Sequence, residues 1–230
     1  MAWADDEVKL ELAEGVALEG HLTLPERVQG LVVFAHGSGS SRHSPRNGMV
    51  ARALENAGLG TLLLDLLTAQ EEEAERDTLA LRFDIGLLAG RLEATLGWLA
   101  RTPATRALRY GLFGASTGAA AALVAAARSP QAVHAVVSRG GRPDLAGGSL
   151  TRVLAPTLLI VGGADRGVLA FNEQALTALP GTKHLEVIPG ASHLFEEPGA
   201  LGKVAELAAR WFARHLGAAQ WQASAGPAQP

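Results

Sequence analysis

The chain has 230 residues, enough to bury one sizeable core without a second domain. Its hydrophobic content of 48% and charged content of 19% are ordinary for a globular protein. The formal net charge of -3 gives no overall basic field, so we expect no nucleic-acid partner. The absence of cysteine excludes disulfides, thiolate zinc sites and a cysteine nucleophile.

The beginning of the chain carries no sign of export. The segment 1–14 is acidic and lacks the apolar core of a signal peptide. No apolar run approaches the roughly 20 residues that a membrane span needs. We therefore expect a cytoplasmic protein without a membrane partner.

In chain order, the first predicted element is a β-hairpin, because residues 8–12 and 16–24 alternate apolar and polar side chains. Continuous apolar runs, typical of strands buried on both faces, follow. The predicted strands of this kind are 31–35, 61–65, 108–113, 133–137 and 157–161, and a last strand is predicted at 184–188. Helices are predicted between them at 45–58, from Asp77 to Leu99, and at 119–127, 168–179 and 201–216. The acidic segment 68–77 is predicted to be a loop, with a helix start at 71–73 as the alternative.

Strands that alternate with helices predict right-handed crossovers and a mainly parallel sheet of about eight strands. We expect one catalytic domain, residues 1–216, and a disordered tail, residues 217–230, rich in Ala, Gln, Gly and Pro. Ligands of such sheets bind beyond the carboxyl ends of the strands, so the loops there should hold the chemistry.

One of these loops is Gly114-Ala115-Ser116-Thr117-Gly118, between a predicted strand and an alanine-rich helix. A serine between glycines at such a junction is how a sharp turn presents a nucleophile. Glycines suit both flanks because side chains there would crowd the turn. The alternative is a serine that only caps the helix.

A serine nucleophile needs a base, and the base needs a carboxylate that orients it. Asp165 follows the strand 157–161, and His193 follows the strand 184–188. We therefore predict a triad of Ser116, His193 and Asp165. Asp144 is the rival acid, and Asp65 is a less favoured one because its strand lies farther from the histidine loop.

Backbone amides must also stabilise the oxyanion of an acyl-transfer reaction. One predicted donor is the N–H of Thr117, directly after the nucleophile. The other comes from the loop after the first parallel strand, where we favour Ser38, with Gly37 as the alternative. His36 is expected to support this loop by hydrogen bonding.

These motifs together resemble the α/β-hydrolase fold over about residues 16–216. Size and layout are most similar to the dienelactone-hydrolase-like branch, which implies small hydrolases of esters and lactones without a cap domain. Members of that branch proper use cysteine as nucleophile, whereas this chain has Ser116, so their dienelactone substrate is not carried over. The resemblance implies serine-type hydrolysis of a small ester or lactone through an acyl-enzyme, without a cofactor; thioesters and peptides remain alternatives.

The place where many such hydrolases insert a cap is here only Ser138 to Arg152, so we expect an open, shallow pocket for small acyl groups. Five arginines lie on loops at the edge of the predicted site: Arg42, Arg46, Arg139, Arg142 and Arg166. Arginine matches carboxylates and phosphates in geometry, which predicts an anionic substrate bound foremost by Arg42 and Arg139. The alternative is that these arginines form salt bridges.

The sequence leaves two alternatives from other function classes. Gly37-x-Gly39 after a strand, with Asp65 after the next, imitates a dinucleotide-binding turn, but Arg42 stands at the third glycine position. A catalytically silent binding module is the second alternative, because a fold does not fix a function. No metal-binding pair of the HExxH type is present, and the oligomeric state stays open.

Overall fold

A computed structural model describes residues 4–12, 15–75 and 78–217. The described strands form one sheet in the order β1-β2-β4-β3-β5-β6-β7-β8. Their bounds are β1 Ala4–Glu11, β2 Ala17–Leu24, β3 Leu31–Ala35, β4 Gly60–Leu64, β5 Tyr110–Ala115, β6 Val133–Arg139, β7 Thr157–Gly162 and β8 Lys183–Ile188. β2 runs antiparallel to β1 and β4, and β3 to β8 are parallel. The predicted mainly parallel, eight-stranded α/β fold is confirmed.

The helices are α1 Pro45–Asn56, α2 Ala69–Glu75, α3 Ile85–Arg101, α4 Thr117–Arg128, α5 Arg166–Ala178 and α6 Ala200–Leu216. The other described helical segments are the 3-10 helix Leu81–Phe83 and the 3-10 segment Pro143–Arg152, which is broken by a kink at Gly147. The second of these makes up most of the segment from Ser138 to Arg152, which was predicted to be too short to form a cap. The predicted tail lies outside the described residues beyond Gly217.

The central strands are buried because helices cover both faces of the sheet. Val33 and Leu112 pack into one apolar layer, together with residues of α3 and α4. Phe34 and Phe113 belong to the other layer, together with residues of α1 and α6, and their ring centroids lie 4.8 Å apart. The continuous apolar runs of the sequence are explained by this burial on both sides.

Two details differ from the sequence expectation. The acidic segment predicted as a loop contains α2, because Thr68 and Glu71 exchange side-chain hydrogen bonds with each other's backbone N–H at 2.7 and 3.2 Å, a capping box. The long helix begins only at Ile85, where Asp84 accepts a hydrogen bond from the Leu87 N–H at 2.9 Å. Both caps could have been recognised in the sequence, because each is a polar residue that directly precedes a helical segment.

Within the described part of the chain, no helix combines the length and the apolar character needed to cross a membrane.

Candidate active site

The three predicted catalytic side chains lie on loops that follow β5, β7 and β8, at the carboxyl edge of the parallel sheet. Ser116 is held in its turn by two backbone hydrogen bonds. Its N–H donates to the Arg139 carbonyl at 3.2 Å, and its own carbonyl accepts from the Arg142 N–H at 3.1 Å. The loop after β6 therefore supports the Ser116 turn from one side.

The Ser116 turn is strained and admits only glycine at its flanks. Ser116 has φ +51° and ψ -119°, an unfavourable backbone conformation for a side-chain-bearing residue. A Cβ on Gly114 would lie 2.4 Å from the Ala119 Cα, and one on Gly118 would lie 2.3 Å from the Ala35 carbonyl oxygen. Although Ser116 stands at the N-cap of α4, its hydroxyl makes no capping hydrogen bond. This counts against the reading in which the serine only caps the helix.

His193 and Asp165 are in direct contact, with Nδ1 of the histidine 2.7 Å from Oδ2 of the carboxylate. Because an ionised carboxylate can only accept, the Nδ1 of His193 carries the proton and its Nε2 is left as the acceptor. Asp165 also caps α5, where its Oδ1 accepts from the Val168 N–H at 3.5 Å. His193 is thus tied, through Asp165, to the amino end of α5.

The rival carboxylates are engaged elsewhere. Asp144 forms a bidentate pair with Arg142, at 2.9 and 2.7 Å. Asp65 bonds both the backbone N–H and the guanidinium of Arg42. Among the described carboxylates, only Asp165 contacts His193.

Ser116 and His193 both line one cavity of about 300 Å³. Its other lining residues include Gly37, Ser38, Arg46 and Arg139. In the described residues, no cluster of three or more His, Asp or Glu side chains could hold a metal ion.

Of the predicted oxyanion donors, Ser38 and Gly37 line this cavity, and Thr117 lines a second, small cavity that also contains Gly37 and Ser38. Thr117 is the first residue of α4, where the backbone N–H groups have no partner within the helix. Ser38 lies in a turn closed by a hydrogen bond from the Ser40 N–H to the Gly37 carbonyl at 3.1 Å. A Cβ on Gly37 would lie 3.2 Å from the Ser116 Cβ, so this loop runs close to the nucleophile.

His36 supports the same loop, as predicted. Its Nδ1 donates to the Gly37 carbonyl at 2.9 Å, and its Nε2 accepts from the Leu66 N–H at 3.2 Å. The buried ring therefore ties the loop after β3 to the segment after β4.

The five edge arginines separate into paired and unpaired residues. Arg42 is not brought to the cavity: it pairs with Asp65 and with Glu19 at 2.8 Å, and lies 3.5 Å from Glu7. Arg142 is held by Asp144, and Arg166 is exposed at the start of α5. The geometry gives Arg42 three carboxylate partners and no access to a ligand in this cavity.

Arg139 is different, because it lines the cavity and has no ion-pair partner among the described residues. Its side chain is nearly buried, and its Nη1 has no hydrogen-bond partner in the described structure. Burial, followed by the positive charge of Arg46, lowers the pKa of Arg139 to about 10. The guanidinium is therefore charged at neutral pH but lacks a counter-ion.

Sequence reasoning missed two residues that bear on this site. Arg82 donates to the Ser38 carbonyl at 2.9 Å. Gly140 has φ +51°, and a Cβ there would lie 3.1 Å from the His193 carbonyl oxygen. No motif marks either residue; only an unexplained glycine after a buried strand and an arginine within an acidic segment could have drawn attention.

Comparison with known proteins agrees with this geometry. A model described as "Dienelactone hydrolase family" matches residues 18–218. The solved structure of a dienelactone hydrolase from Anabaena variabilis is 57% identical, with a TM-score of 0.92, and the match covers 94% of this chain and 100% of that one. Est1E from Butyrivibrio proteoclasticus has a TM-score of 0.75 over 91% of this chain and 98% of its own, but at 14% identity it shows the fold alone.

Curated relatives from two Mycobacterium tuberculosis strains are 59% identical over 212 residues, which is 92% of this chain. Each is named "Putative phosphoribosyl transferase". The matched region covers 47% of each relative, so the chain spans about half their length.

Proposed function

We propose that this chain, which belongs to the dienelactone hydrolase family, cleaves small carboxylic esters or lactones through an acyl-enzyme on Ser116. The observation that supports this most is the 2.7 Å contact between His193 and Asp165, combined with the shared cavity of His193 and Ser116. That contact leaves the Nε2 of the histidine as a proton acceptor in the same cavity as a serine that makes no capping hydrogen bond.

In the proposed reaction, the Ser116 Oγ attacks the ester carbonyl while His193 Nε2 takes the hydroxyl proton. The tetrahedral oxyanion accepts hydrogen bonds from the Thr117 and Ser38 N–H groups, with that of Gly37 as the alternative second donor. The bond to the leaving alcohol breaks, and His193 returns the proton to that oxygen. Water then attacks the acyl-enzyme with His193 as base, which releases the acid and restores the serine.

The size of the cavity favours small acyl groups. About 300 Å³ is at the lower end for ligand pockets. The segment after β6 forms a 3-10 segment of ten residues, Pro143–Arg152, which leaves little chain for a cap. A long acyl chain would therefore remain in water and contribute little binding energy.

The unpaired charge of Arg139 favours a substrate with an anionic group. A charged guanidinium that is 8% exposed and has no counter-ion is costly, and an anion in the cavity would relieve that cost. Arg46 lines the same cavity, and its nearest carboxylate, Glu196, lies 3.6 Å away. We propose that Arg139, assisted by Arg46, binds a carboxylate or phosphate on the substrate, and that Arg42 does not.

A fluorophosphonate probe tests the nucleophile directly. We expect covalent labelling that mass spectrometry of peptides locates at Ser116, and no labelling of Ser116→Ala. Hydrolysis of p-nitrophenyl esters from acetate to decanoate should be fastest for the short chains. Labelling that persists in Ser116→Ala would refute the proposed nucleophile, and a preference for decanoate would refute the small cavity.

Paired substrates test the anionic group. We compare a neutral methyl-capped ester with the same ester carrying a free carboxylate, using the native chain and Arg139→Met. We expect a selectivity of about 10²-fold for the carboxylate ester to be lost in the variant, the size expected for one buried charge-assisted contact. Equal selectivity in both proteins would remove Arg139 from the binding site.

Thioester and peptide cleavage would use the same machinery, and the substrate panel should therefore include both classes. Phosphoribosyl transfer is not proposed, because the matched region of the longer relatives coincides with a hydrolase family model. A silent binding module is the alternative that failed labelling would favour.

A further inference from the structure

Arg82 reaches from the segment after β4 to the loop that carries Ser38. Its Nη1 donates to the Ser38 carbonyl at 2.9 Å, across 44 positions of the chain. Its Nη2 donates to Glu72 at 2.6 Å, and its Nε lies 3.7 Å from Glu75. One side chain thus joins the predicted oxyanion loop to two carboxylates of α2.

The carboxylates hold the guanidinium in a fixed place. Glu75 is fully buried and accepts the N–H groups of Leu81 and Arg82, at 2.6 and 2.8 Å. The helix that carries Glu75 is tied to α3, because Glu71 pairs with Arg91 at 2.5 Å. A planar guanidinium held by two carboxylates loses little further freedom when it binds a carbonyl.

The carbonyl that Arg82 binds belongs to the central peptide of a four-residue turn. The turn runs from Gly37 to Ser40 and is closed by the Ser40 N–H. Such a central peptide can flip if the third residue accepts a positive φ, which distinguishes type II from type I turns. The third residue is Gly39, which is outside the left-handed region here but could enter it without a side-chain penalty. The flip is therefore sterically open to this loop, and it would break the bond to Arg82.

The consequence of a flip follows from what lies beside Arg82. Arg82 lines a small cavity of about 10 Å³ together with Ser38 and Thr117, the two residues predicted to bind the oxyanion. The N–H of Ser38 belongs to the peptide that precedes the central one, so a flip of the central peptide would disturb the position of this donor. It would also leave the partly negative Ser38 oxygen without its cationic partner close to these donors, where it would disfavour a developing oxyanion.

We propose that Arg82 is a positioning residue that locks the central peptide of the Gly37–Ser40 turn in the orientation competent for oxyanion binding. Arg82 touches no reacting atom and acts through Ser38. The inference rests on the proposed function, since it assumes that the Ser38 loop binds the oxyanion. It adds that α2, which lies outside the predicted triad loops, controls the rate of the chemical step.

The experiment compares Arg82→Met and Arg82→Lys with Arg91→Met, a matched control that breaks the ion pair of α2 with α3 but leaves the Ser38 carbonyl bonded. We measure kcat and KM for a short ester, the rate of fluorophosphonate labelling, and Tm, with assays well below the lowest Tm. Because loss of an oxyanion donor costs about 10²–10³ in kcat, partial misplacement should cost about 30-fold in Arg82→Met. We expect about 5-fold in Arg82→Lys, less than 2-fold in Arg91→Met, and KM changes below 3-fold throughout.

Labelling should slow in parallel with kcat, because phosphonylation uses the same oxyanion donors. Native kcat in either Arg82 variant, an equal loss in Arg91→Met, or a loss confined to KM would each overturn the inference. If Arg82→Met does not fold, Arg82→Lys against Arg91→Met decides the question, since the lysine keeps a positive charge beside Glu72 and Glu75. Failure of the proposed function is distinguishable, because either the native chain would then neither hydrolyse the ester nor be labelled, or Ser116→Ala would remain active, whatever the Arg82 variants do.

Discussion

The two sides of the cavity differ in how their charges are paired. On the side of the loops after β3 and β4, Arg42 and Arg82 are both held by carboxylates. On the side of the loop after β6, Arg139 faces the cavity without an ion-pair partner in the described structure. Paired charges fix the positions of loops, whereas an unpaired buried charge is available to a ligand. The same residue type is therefore paired on one side and unpaired on the other, and we expect variants to separate stability from activity accordingly.

The largest effect is expected on the side of the later strands, from the carboxylate that contacts the base. Asp165→Asn should lower kcat by about 10³–10⁴-fold, because an amide no longer favours the required histidine tautomer. Asp144→Asn is the matched control, since its carboxylate is engaged by Arg142 rather than His193. Steady-state kinetics with a short ester measure both. Comparable losses in the two variants would disprove the assignment of Asp165 as the orienting acid.

A smaller loss of kcat is expected from a substitution in the loop after β6, where this loop contacts His193. Gly140→Ala should lower kcat by about 10- to 100-fold, because a displacement of about 1 Å at a catalytic group can cost that much. A Cβ there would lie 3.1 Å from the His193 carbonyl oxygen and 3.6 Å from its Cε1.

Gly147→Ala is the control for this substitution. Gly147 has φ +52°, close to the +51° of Gly140, but no atom lies within 4 Å of its added Cβ. Both variants should lose about 1–3 kcal/mol of unfolding free energy because an alanine is strained at a positive φ, and only Gly140→Ala should lose activity. If kcat falls equally in both, the contact with His193 is not the cause.

On the side where carboxylates hold the arginines, we expect a substitution to lower stability rather than activity. Arg42→Met should lower the free energy of unfolding by about 1–3 kcal/mol, between the values for exposed and buried ion pairs, because Asp65 loses its partner. Its kcat and its KM for carboxylate esters should stay within 3-fold of the native values. Urea denaturation and ester kinetics measure the two quantities. A large rise in KM for anionic esters alone would restore Arg42 as a substrate-binding residue.

The difference between the two sides also separates the features that the sequence could predict from those that it could not. The apolar runs identified the buried strands, and the parallel order of the strands then grouped the loops that carry Ser116, Asp165 and His193. Gly114 and Gly118 could be recognised from their fixed spacing around Ser116, although only the steric demand on Gly114 comes from neighbouring residues of the chain, while that on Gly118 comes from the Ala35 carbonyl oxygen. The grouping of these side chains follows from topology, whereas their catalytic roles remain a prediction.

Long-range pairing of charges could not be predicted. Arg42 meets Asp65 and Glu19, and Arg82 meets the Ser38 carbonyl, through contacts between elements distant in sequence. Arg42 and Arg139 are both loop-edge arginines in the sequence, and nothing local distinguishes a paired arginine from an unpaired one. Only the packing of β2 beside β4, which brings Glu19 and Asp65 to the same place, makes the difference.

The smallest effect is expected from His21. Its side chain is connected to Arg42 through Glu7, which forms an ion pair with both. Burial alone lowers the pKa of His21, but hydrogen bonds and charge from Asp5 and Glu7 outweigh it and raise the pKa above the ordinary 6.5. The folded chain therefore binds this proton more tightly than the unfolded chain, and the stabilisation is complete below the unfolded-state pKa and lost as the pH rises through the folded-state pKa. His21→Gln should thus lower Tm slightly at pH 5.5 and less at pH 8, with kcat unchanged, and Asp5→Asn should weaken the same pH dependence. A Tm difference that grows with rising pH would contradict the pairing, and a change in kcat would contradict the separation of the two sides.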